Sequence, residues 1–110
     1  MIDSIISEIE AKVRRAEAVE DSKKQELLDL LAKLKTEVTN FSQTHGDQAS
    51  SIAGFAQIST QEATRKDPNP KLVEISINGL RSSVDGFEKS HPKLAVVVNN
   101  ISNTLSNLGI

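Results

Sequence analysis

The sequence predicts an all-α protein of four to five amphipathic helices, arranged as antiparallel hairpins in a helical bundle or a coiled-coil-like assembly. In four separate segments, apolar residues recur at steps of three and four, the spacing of a helix face packed along another helix. No segment alternates apolar and polar residues with the period of two that a half-buried strand shows. Because the chain has 110 residues, we expect a single helical domain over residues 1–110.

Residues 1–45 predict a charged helical hairpin. Ser22 followed by Gln25 fits a capping box and favours a second helix start near this point. One long helix is the alternative, because residues 1–45 lack Pro and Gly and a helix can absorb the phase slip between the two apolar series as a stutter. The two series are Ile2, Ile6, Ile9, Val13 and Ala16, then Leu27, Leu31, Leu34, Val38 and Phe41.

Residues 46–69 predict a weak helix followed by a Pro-containing connector. Gly46 suits the C-terminal end of the preceding helix, and Asp47 suits the cap of the next one. Phe55 and Ile58 lie to one side of the expected buried positions. Those positions are Ala49, Ile52, Ala56, Ser59 and Ala63. The Asp-Pro-Asn-Pro sequence that follows interrupts the helix, because each Pro removes a backbone donor and restricts its predecessor.

Residues 70–110 predict a second helical hairpin. We expect its first helix from about Pro70 to Lys89 and its second helix from Pro92 to Gly109, since Pro suits the first turn of a helix. Only two or three residues would join these helices, which requires a close antiparallel pair. Their apolar series are Val73, Ile77, Leu80, Val84 and Phe87, then Leu94, Val98, Ile101, Leu105 and Leu108.

Two features of this second hairpin point to helix–helix association. Ser76, Gly79, Ser83 and Gly86 form a stripe of small residues beside the apolar series, which would let another helix approach closely and offset the cost of helical glycine. Residues 94–110 contain no charged residue but keep several Asn. Charge depletion with retained polarity is typical of an association surface. A helix buried within its own domain is the equal alternative.

The composition excludes several classes of site. The absence of Cys excludes disulfides, thiol catalysis, Cys-ligated zinc and iron–sulfur clusters. With 13 basic against 15 acidic residues and neither Trp nor Tyr, the chain lacks the features of a nucleic-acid binder. No apolar run is long enough to span a membrane, and no secretory signal is visible, so we expect a cytoplasmic protein.

Both histidines are predicted to have structural roles. His45 lies at a helix C-terminus, where the helix dipole favours a cation, and His91 lies in the junction before a Pro. Neither has a His or carboxylate four residues later, as a helical metal pair would require. Ser90 lacks the glycines of a nucleophile elbow. We therefore predict no catalytic, cofactor-binding or metal-binding residue, and no enzyme.

The C-terminal third of the chain resembles a family of small bacterial proteins catalogued as domain of unknown function 4404. The resemblance rests on GFEKSHPKL at residues 86–94 and NTLSNLGI at residues 103–110. It implies a small all-helical bacterial protein and carries over no activity, cofactor or catalytic residue. It also implies that residues 87–92 and the chain end recur in this architecture. Gly109 would permit a left-handed helix end onto which Ile110 folds back.

These observations predict a structural or protein–protein interaction module that associates with itself through its helices, most simply as a homo-oligomer. The alternative is a small regulatory or carrier protein that binds a foreign partner or an apolar ligand through its charge-free C-terminal helix. We predict no cofactor, no nucleic-acid partner and no membrane partner. The expected interface residues are Leu27, Leu31, Leu34, Val38, Gly79, Ser83, Gly86, Leu94, Val98, Ile101, Leu105 and Leu108.

Overall fold

Five α-helices follow one another along residues 2–108, which are the residues that this computed structural model describes. They are α1 (Ile2–Arg15), α2 (Asp21–Ser42), α3 (Gly46–Ala63), α4 (Pro70–Ser82) and α5 (Pro92–Leu108). Residues 2–108 contain no strand, and the helices pack against one another, so the predicted all-α class is confirmed. The predicted chain end at Gly109 and Ile110 lies outside the described residues.

The first two helices form a hairpin and not one continuous helix. The Lys24 ammonium donates a hydrogen bond to the Arg14 carbonyl at 3.2 Å, which ties the start of α2 to the end of α1. The predicted capping box of Ser22 and Gln25 is wrong, because α2 begins before Ser22. Its N-cap residue is Glu20, with extended backbone and no side-chain cap hydrogen bond.

The turn between α2 and α3 lies earlier in the chain than predicted. α2 ends at Ser42, and the N–H of His45 donates to the carbonyl of Phe41 at 2.9 Å. His45 is the N-cap residue of α3, so Gly46 begins this helix and does not end the previous one, and Asp47 is no cap. The five core positions predicted for α3 are all buried: Ala49, Ile52, Ala56, Ser59 and Ala63. Because most of these side chains are small, α3 can pack closely on α1, α2 and α4.

The starts of α4 and α5 agree with the predicted ones. Asn69 caps α4, because its side-chain oxygen accepts hydrogen bonds from the N–H groups of Lys71 and Leu72 at 3.0 and 3.3 Å. Pro70 and Pro92 are the first residues of their helices, where a missing N–H costs nothing. The two Pro residues therefore set the register of the C-terminal half of the chain.

The end of α4 corrects the predicted helix, which ran to Lys89. α4 ends at Ser82, and residues 83–91 form a series of turns before α5. Gly86 adopts a φ of +91°, a left-handed backbone that is incompatible with a continuing right-handed helix. The hydroxyl of Ser83 donates to the Leu80 carbonyl and satisfies part of the helix end. The connection to α5 is therefore longer than the predicted two or three residues.

The core lies where the apolar faces of the helices meet. α2 contacts α1, α3 and α5, and α4 contacts α3 and α5. Two acidic residues of the described chain are buried and ion-paired: Glu10 of α1 pairs with Lys35 of α2 at 2.7 Å, and Glu62 of α3 pairs with Arg65 at 2.9 Å. No helix within residues 2–108 is both long and apolar enough to cross a bilayer.

Candidate interaction surface

Eight of the predicted interface residues lie in the core of their own chain. They are Leu27, Leu31, Leu34, Val38, Leu94, Val98, Ile101 and Leu105, and none is more than 1% exposed. α2 and α5 run antiparallel, with Thr104 bonded to Glu26 at one end and His91 packed on Phe41 at the other. A second chain could reach these eight side chains only if this core opened.

The other four predicted interface residues have different environments. Gly79 lies under the ring of Phe55 so closely that a Cβ at this position would overlap the ring. The predicted close approach at a small residue thus occurs here, between α4 and α3 of one chain. Ser83 and Leu108 are half-buried, and Gly86 lies in an exposed turn with open space around it.

Most of the exposed large apolar side chains collect on α3 and α4. Four of the five in residues 2–108 are Phe55 (38% exposed), Ile58 (50%), Leu72 (47%) and Ile75 (59%). We call the surface that these four residues form the α3–α4 face. The fifth, Val96 (56%), is on α5. A cluster of exposed apolar side chains marks an interaction site more strongly than single ones do.

The register of α3 against α4 brings the four side chains together. The two helices follow each other through a short connection, residues 64–69, and pack antiparallel with Phe55 over Gly79. One turn further along α3 is Ile58, and one turn back along α4 is Ile75. Leu72 lies one turn beyond that, so the four residues form one continuous strip.

The α3–α4 face carries charge only near its ends. Residues 48–61 of α3 contain no charged side chain, and the same is true of residues 75–80 of α4. Beyond this stretch, Arg65 binds the Glu62 carboxylate with Nε–Oε1 and Nη2–Oε2 distances of 2.9 and 3.1 Å. The hydrogen bond from Arg65 lowers the pKa of Glu62 below its usual value. Both side chains of the pair are therefore charged at neutral pH, and their opposite charges cancel.

Two of the four residues of this face can be identified from the sequence. Phe55 and Ile58 stand out from the sequence because they lie off the buried positions of α3. Leu72 and Ile75 were missed, because they fall outside the apolar series that leads from Val73. The signal that could have found them is a second apolar stripe on α4 at helical spacing, ending on Gly79.

The two histidines meet although they are 46 residues apart in sequence. The ring of His45 stacks on Phe41 with centroids 4.6 Å apart, and the ring of His91 meets Phe41 edge to face at 4.8 Å. The two imidazole centroids are 5.3 Å apart. Each Nδ1 is within hydrogen-bond distance of the preceding hydroxyl, that of Thr44 at 2.7 Å or Ser90 at 3.0 Å.

This ring cluster packs the end of α2 against the start of α5. Phe87, from the turns that precede α5, also meets Phe41 edge to face at 4.9 Å. Within the described part of the chain, no group of three or more His, Cys, Asp or Glu is placed to hold a metal ion. The geometry is that of aromatic packing, which stabilises such contacts beyond the area they bury.

Comparison with known proteins identifies a family. Residues 28–110 match the family described as Domain of unknown function (DUF4404). The matched range includes all of α3, α4 and α5 and most of α2, and therefore both helices of the α3–α4 face. No curated protein and no solved structure matches the chain.

Proposed function

The chain belongs to the family described as Domain of unknown function (DUF4404), and from this premise we propose that it is a non-catalytic helical module that associates with a second copy of itself through the α3–α4 face. One observation supports this most: four of the five large apolar side chains exposed in residues 2–108 lie on that face. Self-association would remove them from water. The hydrophobic effect would favour this by about 1 kcal/mol for each half-exposed side chain.

The lack of charge along the α3–α4 face supports the same function. A solvated helix face usually carries Lys and Glu, as the outer sides of α1 and α2 do. The centre of a protein–protein interface is instead depleted in charge and enriched in aromatic side chains. Phe55, which packs over Gly79 between the two helices, is the aromatic residue that such an interface would bury.

The side chains that could act as acids, bases or nucleophiles are held in ring packing or in ion pairs. This supports a non-catalytic role. His45 and His91 pack on Phe rings. Glu10 is paired with Lys35 and Glu62 with Arg65. Catalytic groups usually converge on one cleft, whereas the two histidines lie together in a ring cluster and the two glutamates lie in two separate ion pairs.

The carrier alternative would use α5, and the placement of α5 gives it less support. The apolar residues of this helix turn mostly inward, and Leu94, Val98, Ile101 and Leu105 are all buried. Its exposed side carries Val96 and four asparagines, at positions 99, 100, 103 and 107. A foreign partner or apolar ligand would find one exposed apolar side chain there, against four on the α3–α4 face.

The proposal is tested by mass in solution over a wide concentration range, using sedimentation equilibrium. We expect the wild-type chain to approach twice its mass of 11.9 kDa when concentrated. Ile75→Glu should stay at 11.9 kDa with unchanged helicity, because the carboxylate would have to be buried in the interface. Val96→Glu is the matched control: Val96 is similarly exposed but lies on α5, so this variant should still dimerise.

Two results would contradict the proposal. One is a wild-type chain whose mass stays at 11.9 kDa at every concentration. The other is an Ile75→Glu variant that associates as strongly as Val96→Glu. Circular dichroism of each variant shows whether the monomer fold is retained, so that loss of mass cannot be confused with unfolding.

A further inference from the structure

We infer that the two copies pair about a two-fold axis that crosses the α3–α4 face near Phe55, so that α3 of one copy runs antiparallel to α3 of the other. This inference rests on the proposed function, because it specifies how the same face is used. A two-fold pairing brings the same surface of both chains together, so the surface must be complementary to itself. Shape and charge along the face both meet that condition.

The face is bulky at one end and small at the other. Ile58, Leu72 and Ile75 protrude near the C-terminal end of α3 and the N-terminal end of α4. On the other side of Phe55, the nearest exposed residues along the two helices are the small Ser51 of α3 and Ser82 of α4, and the longer Gln48 is exposed one turn further out. An antiparallel pairing about Phe55 would seat the bulky end of each copy on the small end of the other.

A parallel pairing would fit less well. It would oppose the three bulky side chains of one copy to the same three of the other, and would leave a gap between the small ends. Protein interfaces reach the packing density of interiors, so an uncompensated gap costs dispersion contacts. Shape therefore favours the antiparallel arrangement.

The charges at the two ends favour the same arrangement. Asp47 lies in the first turn of α3, beside the small end, and Lys71 lies in the first turn of α4, beside the bulky end. Both are exposed, and neither forms an ion pair within residues 2–108. Along the helix axis they are about 24 Å apart, at 1.5 Å per residue.

In the antiparallel dimer, Asp47 of each copy would face Lys71 of the other, which gives two attractive contacts. In a parallel dimer, Asp47 would face Asp47 and Lys71 would face Lys71. Arg65 does not alter this comparison, because it is already bound to Glu62. The exposed Glu74 lies beside the strip, on the side of α4 where it lines a groove with Arg81 and Ser106. Opposite charges at the two ends of the strip therefore make a second copy a partner of matching charge.

Charge reversal tests the inference. We expect Asp47→Lys and Lys71→Glu each to weaken the homodimer about tenfold at low salt, because two surface contacts change from attraction to repulsion. The chain carrying both substitutions should recover the wild-type dissociation constant to within about twofold, since Lys at 47 would then face Glu at 71. The single-variant defects should shrink in 1 M salt, where charges are screened beyond about 3 Å.

Asp21→Lys is the matched control, because Asp21 is an exposed acid in the first turn of α2 and lies away from the face. Asp21→Lys removes an acidic side chain from the first turn of a helix, as Asp47→Lys does. Because Asp21 is away from the face, the homodimer of this variant should be as stable as that of the wild type.

Single charge reversals that leave the dissociation constant unchanged, or a double variant that dimerises as weakly as the single ones, would overturn the antiparallel geometry. If Ile75→Glu still dissociates the dimer in that case, the proposed function survives and only the geometry fails. A monomeric wild-type chain would overturn both.

Discussion

At the scale of single residues, backbone conformation decides what two glycines of this chain can tolerate. Gly54, inside α3, and Gly86, in the turns after α4, both have open space where a Cβ would lie. They differ in backbone conformation, because Gly86 alone among the described residues has a positive φ, +91°. Only glycine adopts that region without a steric penalty.

Substituting both glycines separates backbone strain from packing. We expect Gly86→Ala to lower the free energy of unfolding by about 1–2 kcal/mol, the cost of a left-handed backbone for an L-residue. Gly54→Ala should instead raise it by up to about 1 kcal/mol, because Ala is the better helix former. Urea unfolding followed by circular dichroism measures both. Equal effects of the two substitutions would contradict this explanation.

The Glu62–Arg65 pair gives the stability of the protein a pH dependence. Because the hydrogen bond from Arg65 holds the pKa of Glu62 below its usual value of 4.5, this carboxylate is more strongly ionised in the folded than in the unfolded chain. Its contribution to stability is therefore present above pH 4.5 and is lost as the pH falls through the lower folded-state pKa.

Replacing Glu62 should remove that contribution. We expect Glu62→Gln to be less stable than the wild type at pH 7, and the difference to disappear as the pH is lowered below 4.5. Urea unfolding at a series of pH values measures this. Glu8→Gln is the control, because Glu8 is exposed and forms no ion pair within residues 2–108. A difference that persists unchanged at low pH would refute the assignment.

At the scale of helices, the apolar series determine which side of each helix is buried. All four series that the sequence contains turn inward, and the α3 positions predicted from a weak pattern do so as well. Helix ends were harder to predict. α2 begins one residue before the expected cap, and α4 ends well before Lys89 because Gly86 takes a left-handed conformation. Helix ends depend on local hydrogen bonds that many sequences can satisfy.

Substitutions on one helix or another should distinguish a side chain of the core from a side chain of the α3–α4 face. We expect Val98→Asp to unfold the chain, because Val98 is fully buried between α5 and its neighbours and an unpaired carboxylate there costs several kcal/mol. Ile75→Glu should leave the fold intact. Far-UV circular dichroism separates the two outcomes. A folded, monomeric Val98→Asp variant would show instead that α5 is an intermolecular surface.

At the scale of the whole molecule, five helices leave one apolar surface uncovered. One chain buries its four apolar series by folding on itself, so the eight Leu, Val and Ile residues predicted as an interface between chains hold one chain together. The surface that remains apolar is the α3–α4 face, on the weakest of the predicted helices and its neighbour. Association through that face would add a contact to a domain that already has its own core.

The whole molecule also brings together rings that the sequence keeps apart. The ring cluster has two rings from the end of α2 and the turn after it, Phe41 and His45, and two from the segment before α5, Phe87 and His91. The ring centroids lie 4.6 to 6.1 Å apart. Each histidine was expected to serve its own helix end. The antiparallel packing of α2 and α5 decides that both serve the same cluster.

Local sequence patterns are sufficient to predict the helical class, the buried side of each helix and the starts of α4 and α5. These depend on the spacing of apolar residues and on Pro, which act over one or two turns. Tertiary structure alone decided which faces find a partner within the chain, which rings meet, and that Phe55, Ile58, Leu72 and Ile75 stay exposed together. The physical reason is that helix packing joins residues far apart in sequence, and its register is set by side-chain volumes on two helices at once.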